Sequence, residues 1–141
     1  MLGADLRGTN LQGANLRGAQ LASLNLEETD LRGANLQGAN LRGASLRYMH
    51  LTGAPLQTAL LQGANLHGAR LSFANLRGAH LEDADLGNAV FEDVNLEAAN
   101  LDGAKLQGAS LDDANLTHVI YSASTRWPEG FAPDPTMTRL S

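Results

Sequence analysis

Four histidines (His50, His67, His80 and His118) and fifteen acidic residues are the side chains of this 141-residue chain best suited to bind a metal or move a proton. Cysteine is absent, so thiolate nucleophiles and disulfides are excluded. A zinc site needs three or four ligands within about 2.0–2.3 Å of the ion. On the twenty-residue grid developed below the four histidines fall in four different columns, so we expect surface histidines and no metal site. The acids are better ordered. Glu92 and Asp93 stand twenty residues before Asp112 and Asp113, with Glu82, Asp83 and Asp102 ten residues out of phase. Such a cluster reads as a solvated surface, a contact for a basic partner, or a weak divalent-cation site. No sharply turned loop gathers the oxygens that calcium needs. No Ser–His–Asp set stands out, and the GTN and GAN triplets read as turn glycines because no phosphate-loop motif occurs. We expect no enzyme and no cofactor.

Whatever these side chains do depends on the elements that carry them, and here the spacing is unusual. Leucine recurs at every fifth position from Leu6 to Leu116, with Phe91 the one substitution, and two places before each stands a small residue, usually Ala, except at Leu24 and Met49. On an α-helix a step of five turns about 500°, which scatters the leucines around the axis. On a flat strand an odd step sends successive leucines to opposite faces. The leucines share one environment only if the chain turns once per five residues. Leu31-Arg32-Gly33-Ala34 reads as such a turn, with Gly33 third, where a type II turn requires positive φ. Ala34 and Leu36 are then two apart on an extended piece and point the same way. The spacing predicts a coil with Leu and Ala inside, the core including Leu36, Leu41, Leu66, Leu76, Phe91 and Leu96.

Stacking the outer positions at twenty residues gives the column Asn15, Asn35, Pro55, Asn75, Asn95, Asn115. Identical amides stacked this way can hydrogen-bond along a ladder. Four sides and twenty residues per coil follow, about six coils and a rod roughly 29 Å long.

The net charge of −5 conceals a division. Residues 1–80 carry seven arginines against four acids, and residues 81–116 carry nine acids against Lys105. Arg7, Arg17, Arg32, Arg42, Arg47, Arg70 and Arg77 form no continuous stripe, and stacking aromatics are lacking, so nucleic acid is not an expected partner. No segment approaches the roughly 20 apolar residues of a membrane span, and no secretory signal opens the chain, so we expect no membrane partner and a cytoplasmic location.

The phrases ADL, GADLRG, GANLQG and GANLRG resemble the A(D/N)LXX signature of the pentapeptide-repeat family, over about 120 of 141 residues without a gap. The resemblance implies an all-β, right-handed quadrilateral β-helix of a kind numerous in cyanobacteria, mostly without an assigned biochemical role. It also implies that DNA gyrase is a candidate partner, since Qnr- and MfpA-like members mimic DNA and bind it. Those members are acidic along much of their length and richer in central Phe. Here the first half is basic and the central residue is Leu throughout except at Phe91.

We place the repeat at residues 1–121 and a capping tail at 122–141, with Tyr121, Trp127 and Phe131 covering the end of the core. From the sequence, Met1 and Leu2 are expected to enter the first coil almost directly. Either a partial coil suffices there, or two rods meet end to end as a homodimer, or the chain belongs to a longer one as a spacer or solubilising domain. The least regular stretch is residues 47–61. Tyr48, His50, Leu60 and the nearby Phe73 depart from the motif and, with Glu92, Asp93, Asp112 and Asp113, are the candidate contacts for a protein partner. The expected function is a rod-shaped scaffold or interaction module, with gyrase modulation by DNA mimicry as the alternative.

Overall fold

The computed structural model describes residues 4–141. Each five-residue unit closes one turn. Ala34 N–H donates to the Leu31 carbonyl at 3.0 Å, and Gly33 sits at φ 69° in the left-handed region. This conformation belongs to the position and not to the residue. Among the described residues, eleven non-glycine residues occupy the same turn site, all with φ between 53° and 61°, including Thr58, Phe73 and Ala98. Each L-residue held there costs about 1–2 kcal/mol. The coil imposes the turn even where the sequence does not favour it.

Between turns the chain is extended for a short piece and pairs with the next coil. Bridges join residues twenty apart, all parallel, from Asp5↔Asn25 to Asn100↔Ile120. Asn35 N–H donates back to the Ala14 carbonyl at 2.9 Å, while Leu36 and Gly38 donate forward to Pro55 and Gln57, also at 2.9 Å. Four turns per bridged step make a four-sided coil. Inside, Leu36, Leu41, Phe91 and Leu96 are 0% exposed and Leu66 and Leu76 are 1% exposed. Met49 takes an inner alanine site and is fully buried, and the hydroxyl of Thr29, in the site one coil earlier, donates to the Leu6 carbonyl at 2.8 Å.

The asparagines are used differently from the expected ladder. Every Asn or Asp preceding a core Leu, from Asp5 to Asn115, accepts a hydrogen bond on its side-chain oxygen from the N–H two residues on, as in Asn35 to Gln37 at 3.1 Å and Asp85 to Gly87 at 3.0 Å. Each side chain ties its own turn, and either a carboxylate or an amide supplies the acceptor. Contacts between stacked amides are fewer: Asn115 to Asn95 at 3.3 Å and Asn40 to Gln20 at 3.0 Å.

The five-residue spacing changes at Tyr121, but the path continues. Thr125 N–H closes a turn on the Ser122 carbonyl at 3.2 Å, the Thr125 hydroxyl donates to the Leu101 carbonyl at 2.9 Å, and Arg126 bridges Lys105. Further on, β1 (Ile120–Tyr121) pairs in parallel with β2 (Thr138–Arg139). Trp127 stacks on Phe131 with centroids 4.7 Å apart and meets Tyr121 edge-on at 5.6 Å, all three resting against the core.

Candidate functional site

Two aromatic side chains stand out from the rod, Tyr48 at 57% and Phe73 at 61% exposure. Both occupy the left-handed third position of a turn, at φ 56° and 61°. Their turns are successive corners: one leads into, and the other leads out of, the side whose central column runs Asn10, Asp30, His50, Arg70, Val90 and Ser110. His50 and Arg70 are bridge partners in the middle of that side, and both are exposed. Around Tyr48 the Arg47 guanidinium lies 5.3 Å from the ring centroid and the His67 ring meets it edge-on at 6.1 Å. These contacts fix the phenol ring while leaving much of it in solvent.

The acids continue from Phe73. Asp93 and Asp113 follow it in the same corner column, with Glu92 and Asp112 beside them, and all four are exposed. Asp112 accepts from the Ser110 hydroxyl at 3.0 Å, and none of the four has a basic partner among the described residues. Some charges elsewhere are paired locally. Arg32 holds Asp30 at 2.6 Å, and hydrogen bonds from its side chain and backbone lower the Asp30 pKa to about 2. Arg7 lowers Asp5 in the same way.

Thus Tyr48, His50, Phe73, Glu92, Asp93, Asp112 and Asp113 lie along one side and its two bordering corners. Leu60 does not. It belongs to the column of Asn40 and His80 on the opposite side, and it is half-buried. Arg70 was missed as a candidate, although twenty residues separate it from His50 and the period alone places it there. Among the described residues no group of three His, Cys, Asp or Glu is placed to hold a metal ion, and no helix is long and apolar enough to cross a membrane. The expected end-to-end contact through Met1 and Leu2 lies outside the described residues.

A family model for pentapeptide repeats, in eight copies, matches residues 1–38, 39–78 and 79–118. The chain belongs to the pentapeptide-repeat family. Pentapeptide-repeat proteins fold as right-handed quadrilateral β-helices and are structural or interaction proteins, not enzymes. Among solved structures the chain is similar to HetL, a pentapeptide-repeat protein involved in heterocyst differentiation regulation in the cyanobacterium Nostoc sp. PCC 7120. The identity is 38% over 86% of this chain, with a TM-score of 0.54. This chain spans 65% of the length of HetL. Rfr23 from the cyanobacterium Cyanothece 51142 matches at 27% identity over 89% of this chain and 85% of its own, with a TM-score of 0.40. QnrB1, a plasmid-mediated fluoroquinolone resistance protein, matches at 17% identity over 98% of this chain and 78% of its own, with a TM-score of 0.42. No protein of curated function matches.

Proposed function

We propose that this pentapeptide-repeat chain is a rigid, non-enzymatic rod of about six coils, closed at its C-terminal end by Tyr121, Trp127 and Phe131, which binds another protein through the side bearing His50 and Arg70. The observation that carries this reading is the placement of both exposed aromatics at the corners of one side, with an exposed Arg and His between them. Tyr and Arg dominate the energetically important positions of protein interfaces. A fully packed interior leaves the outer surface as the place where such a rod can act. The test is a photo-crosslinking amino acid at position 73 of the full chain. The reading expects a crosslinked protein whose capture is lost in Tyr48→Ser/Arg70→Ser. Capture that is indifferent to those substitutions would refute the assigned side.

A second reading, DNA mimicry toward gyrase, draws support from the unpaired acids at Glu92, Asp93, Asp112 and Asp113. A supercoiling assay decides it: inhibition abolished by charge reversal at those four positions supports mimicry, and absence of inhibition by the native chain removes it.

A further inference from the structure

The tail does not retrace the whole outline of the coil beneath it. Arg126 bridges Lys105 and Thr138 pairs with Ile120. Fifteen residues lead from Lys105 to Ile120, but only twelve lead from Arg126 to Thr138. The shorter path cuts across through residues 127–136, which hold three of the four prolines.

Beneath that shortcut a stretch of coil is bare. The N–H groups of Leu111, Asp113 and Leu116 and the carbonyls of Ala109 and Ala114 have no hydrogen-bond partner among the described residues. One coil earlier the same five positions are all paired: Phe91, Asp93 and Leu96 donate to Ser110, Asp112 and Asn115, and Ala89 and Val94 accept from Ser110 and Asn115. Leu111, Ala114 and Leu116 are half-buried, whereas Phe91, Val94 and Leu96 below them are at most 1% exposed. A groove of about 480 Å³ opens over Leu111, Ala114 and Leu116 on one flank of Phe131. Another of about 430 Å³ opens over Ala109 and Leu111 on the other flank. The charged residues lining them are Asp134 in the first and Asp112 and Glu129 in the second, and neither contains Lys or Arg.

An open parallel-strand edge with an apolar floor and an acidic rim is a site for strand addition. We infer that the bare edge within residues 109–116 binds an extended peptide segment of a partner protein, one that alternates apolar residues with Lys or Arg. Its backbone pairs with the Leu111 N–H and the Ala109 carbonyl, on one side of the corner at Leu111–Ala114, an apolar side chain enters beside Phe131, and its cations meet Asp112 and Glu129. A single strand fits where a second rod does not, because the tail already stands one level higher at Arg126 and Thr138. This inference rests on the reading of the rod as a protein-binding module and adds where and what it binds.

The test pans a phage-displayed library of random peptides on the immobilised full chain. The expected result is enrichment of peptides alternating Val, Ile or Leu with Lys or Arg. Their affinity should fall about tenfold or more on Asp112→Lys/Glu129→Lys and on backbone N-methylation of the peptide, and stay unchanged on Glu82→Lys/Asp83→Lys at the opposite corner. No enrichment, an acidic consensus, or equal binding to both variants would overturn the inference. So would self-association in sedimentation that the groove variant abolishes, since the occupant would then be a second copy. Crosslinks from position 73 that persist in the groove variant, without peptide binding, would leave the proposed function standing and remove this site alone.

Discussion

The ring of Tyr48 lies against Gly68, one coil on, so closely that a Cβ on Gly68 would stand 2.5 Å from Tyr48 Cδ1. The glycine at 68 therefore serves two ends, a left-handed turn at φ 67° and a seat for the neighbouring ring. Gly53 has the same backbone at φ 68°, with nothing within 4 Å of its missing Cβ. Gly53→Ala should cost about 1–2 kcal/mol from backbone strain alone. Gly68→Ala should cost more, and Tyr48→Ser should recover the excess but not the strain. Urea unfolding of the two singles and the double gives the coupling directly, and a coupling near zero would contradict the seated ring.

The reverse substitution should help where the turn already holds a poor residue. Thr58 is β-branched at φ 56°, and Ala98 stands at φ 57°. Relief of about 1–2 kcal/mol of strain, less up to about 1 kcal/mol of extra glycine entropy, predicts a net gain of about 0.5–1 kcal/mol for Thr58→Gly and for Ala98→Gly. Lower melting temperatures for both would show that these turns do not adopt the left-handed conformation.

The turn-tying role of Asn35 separates cleanly from any ladder. Asn35→Asp keeps the acceptor for Gln37 N–H and should be close to neutral, while Asn35→Ala should cost about 0.5–1.5 kcal/mol. Equal losses for both, measured by chemical denaturation, would return the weight to amide stacking.

The inner register is tested at Leu66, which is 1% exposed. Leu66→Ala should cost about 2–5 kcal/mol through the cavity it leaves. Leu66→Asp should abolish the cooperative melt, since it buries a charge with no partner. An unchanged melt for Leu66→Asp would place this side chain outside.

Acid should weaken the Asp–Arg pairs of the early coils only at low pH. Hydrogen bonding to Arg32 lowers the Asp30 pKa from 3.8 to about 2. A lowered carboxyl pKa means that the stabilisation is fully present above about pH 3.8 and is lost as pH falls through about 2. The groups are exposed, so the effect is small and salt-sensitive. Thermal melts between these limits should show a shallower acid loss for Arg32→Gln, and NMR of the Asp30 carboxyl should show its midpoint rising towards the usual value.

Much of the fold was legible because the period of five excludes the helix and the flat strand, and the twenty-residue column of Asn15 to Asn115 sets four sides. The left-handed turn at Gly33 follows from the residue itself, and its persistence at Thr58 and Phe73 follows from the register around them. The tail was less readable. With no repeat after Tyr121, its course depends on which aromatic packs on which, and spacing carries no such information. The candidate contacts resolved according to their columns. Tyr48, His50 and Phe73 fall at neighbouring positions by counting, and the same count puts Leu60 on the far side. The bare edge at residues 109–116 was invisible in sequence, because it arises from the difference in path length between two segments.

The four-turn coil with one turn per five residues gives the rod a phase. Inserting or deleting one pentapeptide within the repeat keeps every leucine inward but turns everything beyond it through a quarter revolution. Four pentapeptides together restore the original alignment and only lengthen the rod. One such insertion between Tyr48 and Phe73 would send them to different sides of an equally well-packed molecule, so the pattern displayed on any one side can be rewritten without disturbing the core.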